Sequence, residues 1–214
     1  IGYGAGAAVT TGIENTIVGG NAGDALTTGT QNVAVGYAAL STEDGHGKNT
    51  AVGYKALQDL NAGANGLNTA IGYEAGRRIS TGTTNVIVGS LAGDHLTTGG
   101  ENIAIGYQAL TAEDGHGKNV AIGHNALRDL DAGADAYNVT VGYEAGKVIS
   151  TGVRNIIIGG LAGDALTTGS RNVAIGHGAL STEDGNGYNV AIGYQALEGL
   201  NAGANAYNVA VGYQ

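Results

Sequence analysis

Proline, cysteine, methionine, tryptophan and phenylalanine are all absent from the 214 residues, and 41 positions are glycine. Ile, Val, Leu, Ala and Tyr must therefore do all the filling of any interior. That suits a thin, regular core of closely packed backbone better than a thick globular one, although the 43% apolar content is ordinary. The missing cysteines exclude disulfide staples, which leaves repetition or oligomerisation as the source of stability. Bases are scarce, 9 against 18 acids for a net charge of -9, which argues against nucleic acid and anionic membrane as direct partners. The segment has no long apolar run, no leader-like stretch and no heptad pattern, so nothing in it targets or anchors the chain.

What the sequence does contain is a repeat. The segments NVAVGYAALSTEDGHGK, NIAIGYQALTAEDGHGK and NVAIGHGALSTEDGNGY begin at Asn32, Asn102 and Asn172 and are evenly spaced. Within each of these long periods one phrase, Asn, then a mostly apolar triplet, then Gly, recurs several times. It is headed by Asn15, Asn32, Asn49, Asn68, Asn85, Asn102, Asn119, Asn138, Asn155, Asn172, Asn189 and Asn208. Its glycines are Gly19, Gly36, Gly53, Gly72, Gly89, Gly106, Gly123, Gly142, Gly159, Gly176, Gly193 and Gly212. An Ala follows three places after the Gly wherever the chain extends that far, as at Ala39 and Ala145.

Each unit is too short for a helix pair and holds one strand-like triplet followed by polar turns, the pattern of an all-β solenoid. A stretch such as 56–60 is long enough for one helical turn, but nothing sustains a 3.6 period. The expected fold is a β-solenoid of 17- and 19-residue coils, one repetitive segment over 1–214 with super-repeats 1–70, 71–140 and 141–210 plus 211–214. Because it starts and stops in mid-coil, the segment reads as a window of a longer fibre.

The triplets predict an oligomer. Val86, Ile87, Val88 and Ile156, Ile157, Ile158 are apolar at every place, so both strand faces need cover. One face looks into the coil and the other is expected to meet the same strand of neighbouring chains, as a parallel homotrimer. A correlation of bulk points to dense packing: Ala or Thr in mid-triplet goes with Tyr or His after the Gly (Ala34 with Tyr37, Ala174 with His177), and Ile goes with Gly or Ser (Ile17 with Gly20, Ile87 with Ser90). These two places are expected to share one core volume. The Asn heads are read either as an amide ladder or as turn residues in the left-handed region.

The phrases NVAIGY, NIAIGY and NVAVGY resemble the head repeats of YadA-like trimeric autotransporter adhesins, and similar phrases occur in bacteriophage tail fibres. The resemblance implies a trimeric left-handed β-roll displayed on a cell or virion. The coils here depart from those heads in being longer than is usual there. The expected function is the structural shaft of an extracellular or virion fibre presenting a terminal module. The alternatives are an adhesin binding a glycan or receptor along its surface and, less favoured, an ice-binding solenoid carrying the Thr pairs at Thr27, Thr97 and Thr167.

No catalytic, metal or cofactor residues are expected. His46 and His116 lie beside Glu43, Asp44 and Glu113, Asp114, but the third copy carries Asn186, so these read as solvated turns, with a weak cation site as the lesser alternative. The run from Asp131 to Asp135 lacks the order of a calcium loop. GYGAG at 2–6 has no helix after it to hold a phosphate.

Overall fold

A computed structural model describes residues 1–205 and 207–214. It contains twelve short strands: β1 Thr16–Val18, β2 Val33–Val35, β3 Thr50–Val52, β4 Thr69–Ile71, β5 Val86–Val88, β6 Ile103–Ile105, β7 Val120–Ile122, β8 Val139–Val141, β9 Ile156–Ile158, β10 Val173–Ile175, β11 Val190–Ile192 and β12 Val209–Val211. They form one parallel sheet in chain order. Each strand pairs in register with the next, as Thr16 does with Val33, and the step is longer at β3–β4, β7–β8 and β11–β12, as from Thr50 to Thr69. The fold is thus a β-solenoid of about eleven turns. With strands about 4.8 Å apart, the stack is about 55 Å long.

Hydrogen bonds run between coils rather than along them, even outside the strands. In the arm 56–60 the N–H groups of Leu57 and Asp59 donate to the carbonyls of Ala75 and Arg77 one coil on, whereas those of Gln58 and Leu60 close short turns on Lys55 and Leu57. No helix occurs among the described residues. The glycine after each strand is fixed by this spacing. It has φ between 131° and 151°, and from Gly19 to Gly193 a Cβ would strike the backbone of the equivalent glycine one coil further on.

The middle residue of each strand points inward. Ala34, Ala51, Ile87, Ala104, Thr140 and Ile157 are fully buried, in line with Ala39, Ala56, Leu57 and Leu60 from the following arm. This placement corrects the volume assignment drawn from the sequence. Tyr37 is 51% exposed and sits outside, so it shares no interior volume with Ala34. The position that does trade bulk with mid-strand lies eight places after the Asn. Ile17, Ile87 and Ile157 occur with Gly23, Gly93 and Gly163, whereas Leu40, Leu57, Leu110, Leu127, Leu180 and Leu197 occur with Ala in mid-strand. A Cβ on Gly93 would stand 3.0 Å from Ile87 Cδ1 and 2.9 Å from Leu96 Cδ1. Two coils pair a smaller mid-strand residue with glycine, Ala70 with Gly76 and Thr140 with Gly146. At Gly76 the preceding coil supplies the missing bulk, because a Cβ there would stand 3.2 Å from Leu57 Cδ2.

This exchange is testable by denaturation. Gly93→Leu is expected to cost about 1–3 kcal/mol of stability through overpacking, and Ile87→Ala in the same chain is expected to recover most of it. Ser90→Tyr, on the outside, should leave the melting temperature unchanged or raised. Independent, additive losses in the double variant would refute the pairing.

Candidate functional site

Three features could carry function: the asparagine column, a buried carboxylate in each super-repeat, and the outward face of the sheet.

The asparagines form a continuous column along the stack. From Asn32 to Asn208, each main-chain N–H donates to Oδ1 of the Asn one coil earlier, at 2.9–3.2 Å. Most Nδ2 groups cross their own coil to the carbonyl of its closing turn, as Asn85 does to Gly99 at 3.0 Å. Each such side chain fastens the start of a strand both to a neighbouring coil and to the far end of its own. None of the twelve has a positive φ, so the left-handed turn reading is incorrect. That conformation falls instead on the residue before each of them.

Glu43, Glu113 and Glu183 are not solvated turn charges. All three are fully buried, at the step that Leu26, Leu60 and Ile79 occupy in other coils. Glu43 Oε1 accepts from the His46 N–H at 2.9 Å, and Oε2 accepts from the Ala62 N–H in the next coil at 3.3 Å. Glu183 repeats this with Asn186 and Ala202 at 3.1 and 3.2 Å. The next coil is always the longer one. Its Asn65, Asp135 or Asn205 also accepts from the N–H of Gly47, Gly117 or Gly187. Side-chain acceptors therefore stitch down the insertion where the backbone ladder is interrupted.

His46 Nδ1 lies 3.2 Å from Glu43 Oε1, and the Glu43, Asp44, His46 and Glu113, Asp114, His116 groups each gather their ligand-capable atoms within 4.8 Å. Asn186 takes the histidine's place in the third repeat. Its Nδ2 bonds Glu183 at 2.9 Å, so the arrangement serves the fold with or without imidazole.

Burial pushes the Glu113 carboxyl above its ordinary value of 4.5, outweighing the lowering by the His116 N–H and ring. One of its oxygens, Oε2, has no hydrogen-bond partner.

The outward face is apolar. The first and third residues of every strand point out, and only Thr16, Thr50 and Thr69 among them are not Val or Ile. Val86 is 39% exposed and Ile156 41%, which is unusual for β-branched apolar residues lying in continuous columns. Beside them, past the glycine, the aromatic rings stack one above another: Tyr37, Tyr54, Tyr73; then Tyr107, His124, Tyr143; then His177, Tyr194, Tyr213. Their centroids are 5.2–5.5 Å apart. Gly20, Ser90 and Gly160 occupy the same place in the coils that precede these groups. The tyrosines that sequence reasoning places in a core are thus on the surface.

The hydroxyls of Thr27, Thr97 and Thr167 donate to the carbonyls of Asp44, Asp114 and Asp184, so these protons are engaged in the stack. No protein family model, curated protein or solved structure matches the chain. Among the described residues no helix is long and apolar enough to cross a membrane.

The column and the carboxylate each have a measurable consequence. Asn85→Ala leaves the buried Asn102 N–H and Gly99 carbonyl without their partner, at about 1–3 kcal/mol for each orphaned group, and chemical denaturation should register the loss. The Glu113 effect has a definite sign. A carboxyl raised in the folded state contributes most below its ordinary value and loses that contribution as pH rises through the folded value. Measured against Glu113→Gln, the wild-type chain should therefore gain stability as pH falls from neutral toward 4.5. A constant difference across that range would contradict it.

Proposed function

We propose that the chain is the structural shaft of an extracellular or virion fibre, built as a parallel homotrimer and holding a terminal module away from its base. The observation that carries this reading is the pair of apolar columns on the outward face. A parallel sheet is ordinarily covered on both faces, and here the chain covers only the inner one. Three such strips facing a common axis close without a remainder, because in a cyclic trimer the contact is heterologous. The first-residue column of one protomer packs against the third-residue column of the next. The chain's acids and its few Lys and Arg lie away from these two columns, none of whose members is charged.

A rod of uniform coils, whose polar side chains are largely engaged in its own stacking, is suited to spanning distance. A binding surface distributed along the shaft is the second reading, favoured by the exposed columns of stacked Tyr and His rings, which present ring edges and polar atoms to solvent.

Light scattering of the purified chain should give three times the 21.1 kDa protomer mass, with rods visible by electron microscopy. Val88→Glu together with Ile105→Glu, in the outward columns at mid-stack, should convert the trimer to monomers that keep their β-rich circular dichroism. A wild-type chain that is monomeric at micromolar concentration, or a parallel dimer, would defeat the trimeric shaft.

A further inference from the structure

The turn that closes the coil before each insertion carries a Glu, an Asp and, in two of the three super-repeats, a His. The fold does not require the imidazole, because Asn186 holds Glu183 at 2.9 Å in its place. A histidine at that step is therefore free for another use, and in the second super-repeat its surroundings differ from those in the first.

In the first, both carboxylate oxygens of Glu43 are engaged. Its Oε1 accepts from the His46 N–H and lies 3.2 Å from the ring Nδ1, and its Oε2 accepts from the Ala62 N–H. In the second, Glu113 Oε1 accepts from the His116 N–H at 3.1 Å, but two buried atoms are left over: Glu113 Oε2 and His116 Nδ1 have no hydrogen-bond partner. Glu113 is fully buried, so solvent does not satisfy its free oxygen.

The spacing suits an ion. His116 Nδ1 lies 3.4 Å from Glu113 Oε1, and with Asp114 the three side chains bring one ligand-capable atom each within 4.8 Å of one another. Two ligands each about 2.1 Å from a tetrahedral zinc ion stand about 3.4 Å apart, so the imidazole and the carboxylate already have the separation that such an ion sets. Charge points the same way. The insertion that follows runs from Asp131 to Asp135, where the other super-repeats have Asn61, Asn65 and Asn201, Asn205. Asp135 accepts from the Gly117 N–H, and Asp131 bears on Glu113 as a like charge. Lys118 pairs with Asp135 at 2.6 Å, but among the described residues no Lys or Arg pairs with Glu113, Asp114 or Asp131. A bound cation would offset that repulsion.

We propose that Glu113, Asp114 and His116 bind one divalent transition-metal ion of the zinc type. His116 Nδ1 and the Glu113 carboxylate are its inner ligands, Asp114 closes the set from the exposed side, and water completes the coordination. The imidazole nitrogen selects zinc and its transition-metal neighbours over calcium and magnesium, which take oxygen ligands. The ion ties the closing turn down beside the insertion, where the backbone ladder is interrupted. The first super-repeat carries the same three residue types, but its Glu43 is already satisfied and its insertion is uncharged, so it holds an ion more weakly. This goes beyond the shaft reading and does not depend on the trimer, because every ligand comes from one chain.

The test titrates the untagged chain, stripped of metal, with Zn²⁺ by calorimetry and with Co²⁺ by visible absorption, at neutral pH where imidazole is largely unprotonated. One ion per chain should bind at micromolar affinity or tighter, give the d–d bands of protein-ligated Co²⁺, and raise the melting temperature. His116→Asn reproduces the turn of the third super-repeat and so keeps the fold. It should abolish the tight site, a loss larger than the about 10–100-fold that removal of an outer-shell partner costs. His46→Asn should leave that site intact. Absence of a tight ion, equal losses in the two histidine variants, or displacement of zinc by excess calcium would each overturn the proposal. Particle mass, read in the same samples, reports on the shaft separately.

Discussion

The structure depends on one constraint: the main chain of each coil satisfies most of its hydrogen bonds on the coils above and below. Coils can exchange those bonds at every step only if each repeats the conformation of its neighbours. A residue in the left-handed region in one coil therefore requires one at the same step in the next. Leu40, Leu57, Leu110, Leu127, Leu180 and Leu197 all sit at φ of 49–54°, a conformation an isolated leucine avoids. Repetition spreads that cost evenly, and the burial of most of these leucines together with the hydrogen bonds between coils offsets it.

Once the backbone repeats, each side chain stands above its equivalent, and chemistry is decided by column rather than by neighbourhood. The amide column works because Asn is both acceptor and donor and is short enough to reach its own coil's closing turn. The inner columns vary chiefly in compensating pairs, Ile with Gly or Ala with Leu, and where Ala70 meets Gly76 a leucine from the coil before fills the space. The outer ones are freer. The column before the asparagines, whose side chains make different contacts in different coils, is where the super-repeats diverge visibly.

Much of this is legible in the sequence. All twelve strands fall on the triplets between Asn and Gly, because a short strand flanked by an amide and a crowded glycine leaves no freedom in its bounds. The direction in which side chains point is less legible. Ala34 and Tyr37 vary together with their counterparts, and shared variation reads as shared volume, whereas the tyrosine lies outside. Period alone does not say which side of a kinked backbone faces in, and the φ of the intervening glycine turns the chain there. Glu43, Glu113 and Glu183 escape a reading by composition for a similar reason, since an Asp and a Gly beside them form a turn signature. Comparing coils step by step finds them, because they occupy the place of Leu26 and Ile79.

The bond between Glu43 and the N–H of Ala62 bears on how such a rod can lengthen. It joins a coil of one size to a neighbour of another, and Asn65 answers with its own bond to Gly47. Inserting a lone coil between them would strand a carboxylate in the interior and leave the surplus loop unheld. Duplication of single coils is thus barred at this junction of each super-repeat and left open at the others.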